Sequence, residues 1–386
     1  MSLGLADAQT ARKTESMRVA MLASFPVAGE NPAGGPQVAV GRLVQELLKR
    51  DVEVIIVAPD PLRTGAGMRE IDGGGTLITV PTAARWNLAR NLRPWRRGAR
   101  SAVERLGADI LHGQSLIPGG IAAAGIDGRP RVVTARGNMR ADTLARYRGM
   151  GAAARARRRD RLARIAVERA DAIVGVNPEW AVNVPERPKR FVYIPNIVDA
   201  EFFDRPRTPE PGRVLFAGGT RQIKGWPLLA EAWPGVLESI PGATLNAVGW
   251  PPGEIPPGIP PELRQSVVAD SALSSSDLAD RMARAAVLVI PSEFEVSPIV
   301  LAEAWAMGLP VVAARVGGVP ALATGAAILV ERDVEALRDG LVAALSGGEE
   351  IDSLVATGRR RADAHRADAV ATAHISLYEE LRQADR

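Results

Sequence analysis

Two carboxylates, two cations and three glycine-bearing turns are the features of this chain that could do chemistry. Glu295 and Glu303 have seven residues between them inside PSEFEVSPIVLAEAWAMGLPVVAARVGGVP, residues 291–320. An apolar run ends at Ser292. Ser297 followed by Pro298 reads as a helix start, with the serine as N-cap and the proline at N1, and Gly308 as its stop. The N–H groups of Ile299 and Val300, with the helix dipole, then form an anion site. A carboxylate beside it accepts hydrogen bonds from sugar or ribose hydroxyls. A Ser297 cap competes for the same N–H groups. The plain alternative is an ordinary capped helix with solvent-facing glutamates.

The second cluster is FAGGTRQIKGWPLL, residues 216–229. Gly218 and Gly219 end an apolar run, Arg221 and Lys224 follow in a short loop, and a helix starts near Trp226 and Pro227. Glycines let a ligand approach the backbone, and the two cations suit a diphosphate. A turn with two solvated cations is the alternative. In NPAGGPQVAV, residues 31–40, Gly34 and Gly35 precede a helix-like run, which suits phosphate or sugar contact but equally a simple turn. The segment matches neither the dinucleotide fingerprint nor the P-loop. His112 and Gln114 close the run DILHGQ, residues 109–114, where a histidine is either structural or, facing a cleft, a catalytic candidate. There is no G-x-S-x-G elbow and no Asp-x-Asp metal pair.

Composition narrows the classes. Of 386 residues, none is cysteine and three are histidine, which excludes disulfides, thiolate nucleophiles and cysteine-ligated metals. A zinc site built from histidines is not expected. No run approaches the roughly 20 apolar residues of a membrane span. Residues 1–16 lack the apolar stretch of a signal peptide and read as a mobile tail. The location expected is cytoplasmic, peripheral on the inner face of a membrane. Charge is uneven: residues 1–195 hold 31 Lys+Arg against 18 Asp+Glu, and the remainder 17 against 26. The first half therefore favours an anionic partner, unless the charge is only a solvated face.

These motifs need a scaffold that ends strands at loops. Unbroken apolar runs at 17–24, 52–59, 76–82, 109–114, 131–137 and 172–177 alternate with helix-like segments, the signature of a parallel sheet covered on both faces. After RFVYIPN (190–196) comes the polar, proline-containing DAEFFDRPRTPEPG, read as an interdomain linker. A second series follows at 214–219, 243–250, 266–270, 286–292, 310–316 and 326–331. The fold expected is α/β, two tandem Rossmann-like doubly wound domains with an interdomain cleft, ligands lying outside the carboxyl ends of the strands.

Taken together, the segments resemble glycosyltransferase family 4, whose fold is GT-B. The resemblance rests on the glutamate–seven–glutamate motif with its continuation AEAWAMGLPVVAARVGG, on Lys224-Gly225, the Gly34-Gly35 loop, IPNIVD at 194–199 and DILHGQ, all in the family's order. It covers nearly the whole chain from Met17. It implies an acceptor-binding domain at 17–198, a donor domain at 199–365 and a C-terminal helix at 366–386 packing back on the first. It implies a retaining, hexosyltransferase-type reaction that needs no metal or other cofactor, with a nucleotide-diphosphate sugar as substrate. Lys224 and Arg221 would stabilise the departing diphosphate with the N–H groups of Ile299 and Val300. Glu303 would hold the ribose, Glu295 would lie near the sugar, and Gly35 near diphosphate and acceptor. The arginine usual after the glycine is Gly219 here, the usual second histidine is Gln114, a loop histidine or aspartate is Arg136, and the usual NG is Asn196-Ile197. Gln114 and Arg136 fall on the acceptor side, and glutamine is no general base.

The acceptor is expected to be lipid-linked or a polysaccharide. RWNLARNLRPWRRGAR (85–100) and RYRGMGAAARARRRDRLAR (146–164), with two tryptophans in the first, suit an anionic membrane surface. No nucleic-acid recognition motif is present. The competing readings are a non-catalytic nucleotide-sugar binder and a nucleotide-sugar epimerase of the same architecture.

Overall fold

The computed structural model describes residues 16–26, 34–60, 67–82, 88–137, 151–179, 188–251 and 254–384. The chain divides into two compact units. The first comprises residues 1–175, 181–194 and 371–386, and the second 176–180 and 195–370.

In the first unit the elements run β1 (Arg18–Leu22), α1 (Gly35–Leu48), β2 (Glu53–Asp60), β3 (Met68–Ile71), β4 (Gly75–Pro81), α2 (Leu88–Leu106), β5 (Ile110–Gly113), β6 (Arg131–Ala135), α3 (Ala152–Arg169), β7 (Ala172–Gly175) and β8 (Phe191–Tyr193). They form one sheet in the order β3-β4-β2-β1-β5-β6-β7-β8. Every pair is parallel except β3 with β4. The apolar-run reading missed that antiparallel edge strand. MREI has no buried residue, so it carries no hydrophobic signal, and the turn at Asp72–Gly74 folds it onto β4. Strand order reverses between β1 and β5, which makes their carboxyl ends the switch point.

Helix α2 buries Trp95, Ala99, Ala102 and Val103 against Ile55, Val57, Ile78 and Val80. Trp95 is fully buried and its indole N–H donates to Pro118 O at 3.1 Å. It is a core residue rather than the membrane-facing aromatic expected from the sequence. The other tryptophan of that segment, Trp86, lies outside the described residues, as do residues 146–150 of the second basic segment.

The second unit runs β9 (Arg213–Phe216), α4 (Trp226–Ser239), β10 (Thr244–Val248), β11 (Val267–Asp270), α5 (Ser275–Arg284), β12 (Val287–Ile290), α6 (Ile299–Met307), β13 (Val311–Ala314), β14 (Ile328–Val330), α7 (Val334–Ser346) and α8 (Glu349–Ala362). Its sheet is wholly parallel in the order β11-β10-β9-β12-β13-β14. Order reverses between β9 and β12. The segment read as a linker is part of this unit. Phe202 is fully buried in its core, and Arg207 donates to Gly308 O at 2.7 Å and Ala285 O at 2.6 Å. A free linker would leave both exposed. The last helix, α9 (Ala367–Ala384), enters the first unit from Ala371 onward.

Candidate functional site

The Lys224 loop follows β9 and the Glu295 loop follows β12, the two neighbouring strands at which the second sheet reverses order. Lys224 closes a 3-10 turn, Gln222–Lys224, and Gly225 follows in the left-handed conformation at φ 81°. A Cβ on Gly225 would overlap the Pro291 carbonyl, so the turn seats directly on the end of β12 only because that residue is glycine. Gly218 plays a similar part, since a Cβ there would stand 2.8 Å from Lys224 Cβ. Gly219, at φ 62°, donates its N–H to Val248 O at 3.0 Å.

Across the seat, Lys224 Nζ donates to Glu295 Oε1 at 2.6 Å. Ser292 Oγ donates to the same oxygen at 2.8 Å. Glu295 is buried, as is Ser292. Arg221 is exposed; its carbonyl accepts from Lys224 N at 2.9 Å, and its side chain makes no hydrogen bond or ion pair among the described residues.

Helix α6 begins differently from expectation. Pro298, not Ser297, holds the N-cap position, at φ −65° and ψ 120°, with no side-chain cap. Proline there has no hydroxyl to offer, so the competition foreseen between Ser297 and a ligand does not arise. The first turn at Ile299 and Val300 carries the helix dipole without side-chain capping. The helix stops at Gly308 in the left-handed conformation, whose N–H bonds back to Trp305 O at 2.9 Å. Residues Leu301–Met307 are all buried, Glu303 among them. A solvent-facing role for either glutamate is therefore excluded: an acid inside an otherwise apolar helix is held there for a reason other than solubility.

In the first unit, Gly34 (φ 154°) is the N-cap of α1 and Gly35 its first residue. Residues 27–33, which lead into this turn, lie outside the described residues. His112, the cleft-facing catalytic candidate, is fully enclosed. Its Nδ1 lies 2.6 Å from Tyr378 Oη of α9, its Nε2 2.7 Å from Thr134 Oγ1. Burial, then the neighbouring His374 and Arg136, hold its pKa well below the usual histidine value. The neutral ring is a packing and hydrogen-bonding element, and its sealing partner comes from a helix some 266 residues away in sequence. Gln114, also buried, accepts from Arg136 Nη2 at 2.7 Å. Burial lowers the Arg136 pKa to about 10, so it keeps its charge at neutral pH.

The structure thus brings Lys224, Glu295, Ser292 and the start of α6 together in one unit, and His112, Gln114 and Arg136 in the other. Sequence reasoning passed over Ser292, noted only as the end of a strand, and Asn177, which closes the run AIVGVN. A polar residue ending an apolar strand at its carboxyl rim is the signal both carried.

The pattern described as Glycosyltransferase Family 4 matches residues 33–202, and that described as Glycosyl transferases group 1 matches residues 211–347. The chain belongs to glycosyltransferase family 4. A curated relative, the D-inositol 3-phosphate glycosyltransferase of Segniliparus rotundus, is 35% identical over 119 residues. That match spans 29% of this family 4 chain and 26% of the relative's length. Among solved structures, the sucrose-phosphate synthase of Thermosynechococcus elongatus superposes with a TM-score of 0.78 at 20% identity, over 95% of this chain and 100% of that one. WaaG, a glycosyltransferase involved in lipopolysaccharide biosynthesis, gives 0.71 at 20% over 93% and 99%. HepE of Anabaena, in complex with UDP-glucose, gives 0.69 at 15% over 94% and 100%. At these identities the family 4 chain shares with them the GT-B fold.

Proposed function

We propose that this chain is a retaining glycosyltransferase. It moves a sugar from a nucleotide diphosphate to an acceptor hydroxyl, breaking the bond from the anomeric carbon to the phosphate oxygen and making one to the acceptor on the same face. The observation that carries this reading is the Lys224–Glu295 pair at 2.6 Å beside the uncapped start of α6. A cation and a helix N-terminus converge there on the loops of a topological switch point. In the bound state Lys224 and the exposed Arg221 face the diphosphate and offset the charge that develops on it. Gly218 and Gly219 give the diphosphate access to the backbone, and Ile299 and Val300 donate their N–H groups. Glu303 takes the ribose hydroxyls and Glu295 the sugar, with the Gly34–Gly35 turn against diphosphate and acceptor. This cationic set supplies the charge that a divalent metal supplies elsewhere, so the reaction is expected to run in chelator. That HepE is solved with UDP-glucose supports a nucleotide-sugar donor, with UDP as the first base to try.

For the acceptor, we infer an anionic, lipid-linked or polysaccharide substrate met at a membrane surface. Helices α2 and α3 both pack on the helical turn at 116–123, through Trp95 to Pro118 and Ala166 beside Gly120. Their outer faces expose Arg93, Arg97 and Arg100 on α2 and Arg157, Arg158 and Arg161 on α3. Such a layer attracts anionic headgroups, and WaaG acts in lipopolysaccharide biosynthesis. No described helix is long and apolar enough to cross a membrane.

The test is thermal unfolding with UDP, GDP, ADP and CMP in chelator, wild type beside Lys224→Ala. A ligand at 100 times its Kd adds about 2.7 kcal/mol. One nucleotide that stabilises the wild type and not the variant supports the donor site. Equal stabilisation of both proteins would overturn it.

A further inference from the structure

We propose that Asn177 is a positioning residue of the donor site, tying the Val296 carbonyl of the loop that carries Glu295 and leads into α6 to the Gly318 carbonyl of the turn after β13. The inference rests on the donor-site reading above and adds to it a residue outside every motif.

Asn177 lies two residues past the end of β7 but belongs to the second unit. It is buried, and its amide is fully used. Nδ2 donates to Val296 O at 2.8 Å and to Gly318 O at 2.9 Å, while Oδ1 accepts from Glu179 N at 3.0 Å. The loop is gripped from the other side as well, because Gly318 N donates to Glu295 O at 2.8 Å. Consecutive carbonyls, of Glu295 and Val296, are thereby held by two separate segments. There is no slack in this arrangement. A Cβ on Gly318 would overlap both the Asn177 amide and the Val296 carbonyl, and one on Gly317 would overlap the Glu295 carbonyl.

The clamp answers a need that α6 creates. Its N-cap is Pro298, which offers no side chain to fix how the chain enters the helix. The direction of the Ile299 and Val300 N–H groups therefore depends on where Glu295 and Val296 are held. The Glu295 carboxylate depends on the same backbone. Asparagine suits the task by its chemistry. One NH2 group supplies two donors to two carbonyls, whereas an aspartate of the same shape has only acceptors and would set its charge against both oxygens. Loss of the donors takes the amide from the Val296 carbonyl, leaves Gly318 O with Leu322 N at 3.4 Å, and frees the loop to shift.

Two variants test this, Asn177→Ala and Asn177→Asp, beside Lys224→Ala and wild type. The first readout is hydrogen exchange of the peptide spanning residues 292–303, well below the unfolding midpoint. Exchange should rise in both Asn177 variants while α7 and α8 keep their protection. The second is affinity for UDP, GDP and ADP by calorimetry at the same temperature, where a residue that only stabilises the fold leaves the binding constant unchanged. Both variants should bind the preferred nucleotide at least about tenfold more weakly, the equivalent of one carbonyl's lost bond, with Asp no better than Ala. Lost affinity in Lys224→Ala with full affinity in both Asn177 variants overturns this inference and leaves the donor site standing. Full affinity in Lys224→Ala, or no nucleotide bound by wild type, counts against the donor site itself. In that event unchanged exchange at 292–303 overturns the clamp, and raised exchange upholds it.

Discussion

Replacing Glu295 by glutamine separates two roles that one ion pair combines. In the empty protein Lys224 is held by Glu295 Oε1 at 2.6 Å, with the lysine side chain 27% and the glutamate 11% exposed. A nucleotide can have Lys224 only by drawing it from that partner. An exposed pair is worth roughly 0.2–1 kcal/mol and a hydrogen bond to a charged group about 1.5–3 kcal/mol. This half-sheltered pair falls between them. Glutamine keeps the shape and the acceptor oxygen, so Ser292 Oγ and Lys224 both retain a bond, but a neutral acceptor binds an ammonium about half as strongly. The hold on Lys224 then drops by about 0.5–1 kcal/mol, and UDP should bind about two- to fivefold more tightly to Glu295→Gln. Lys224→Ala removes the charge-assisted bond to the diphosphate and should weaken UDP by roughly ten- to 150-fold. Sugar transfer should fall in both variants. Isothermal calorimetry in chelator at constant ionic strength reads the two constants. If Glu295→Gln weakens UDP as much as Lys224→Ala does, the carboxylate is not a competitor for the lysine and the reasoning fails.

Other consequences can be checked independently. Gly225→Ala forces a side chain into a left-handed turn and onto the Pro291 carbonyl. It should cost about 2 kcal/mol or more and lower the calorimetric midpoint by at least about 4 °C, and an unchanged midpoint would show that the turn relaxes freely. His112 and His365 both have pKa values lowered by burial. The unfolded chain takes up these protons first, so the stability present above the ordinary value near 6.5 is lost as pH falls below it. Each residue contributes up to about 1.4 kcal/mol per pH unit. Urea midpoints at pH 7.5 and 5.5 should show this, and a flat profile would argue that the rings are protonated in the fold. Tyr378→Phe takes the 2.6 Å partner from His112 Nδ1 and leaves it Gln114 Nε2 at 3.2 Å, which should cost about 0.5–1.5 kcal/mol, read as a drop in the same midpoint. The arginine faces of α2 and α3 predict sedimentation with vesicles containing anionic lipid, abolished by high salt. Equal sedimentation with neutral vesicles would refute the charge argument.

Much of this molecule was legible in one dimension. The parallel strands of both sheets were written as unbroken apolar runs, because a strand covered on both faces has no polar side to interrupt it. Lys224-Gly225 and Glu295 announced themselves because a charged residue at the end of such a run sits at the carboxyl rim. What the chain did not disclose was which groups face one another. Ser297 looked like a cap, yet the cap position fell one residue later, a shift within the usual uncertainty of helix ends. His112 looked like a rim catalyst until Tyr378 from the last helix closed over it. The segment after residue 198 looked like a linker because its prolines and charges outnumber its apolar residues, while Phe202, with Phe203 packed beside it, carries it into the core. Local pattern decides what each segment can become. Contacts between positions as distant as Asn177 and Gly318 exist only after the sheet has ordered its strands, so the clamp on the donor loop was decided by tertiary structure.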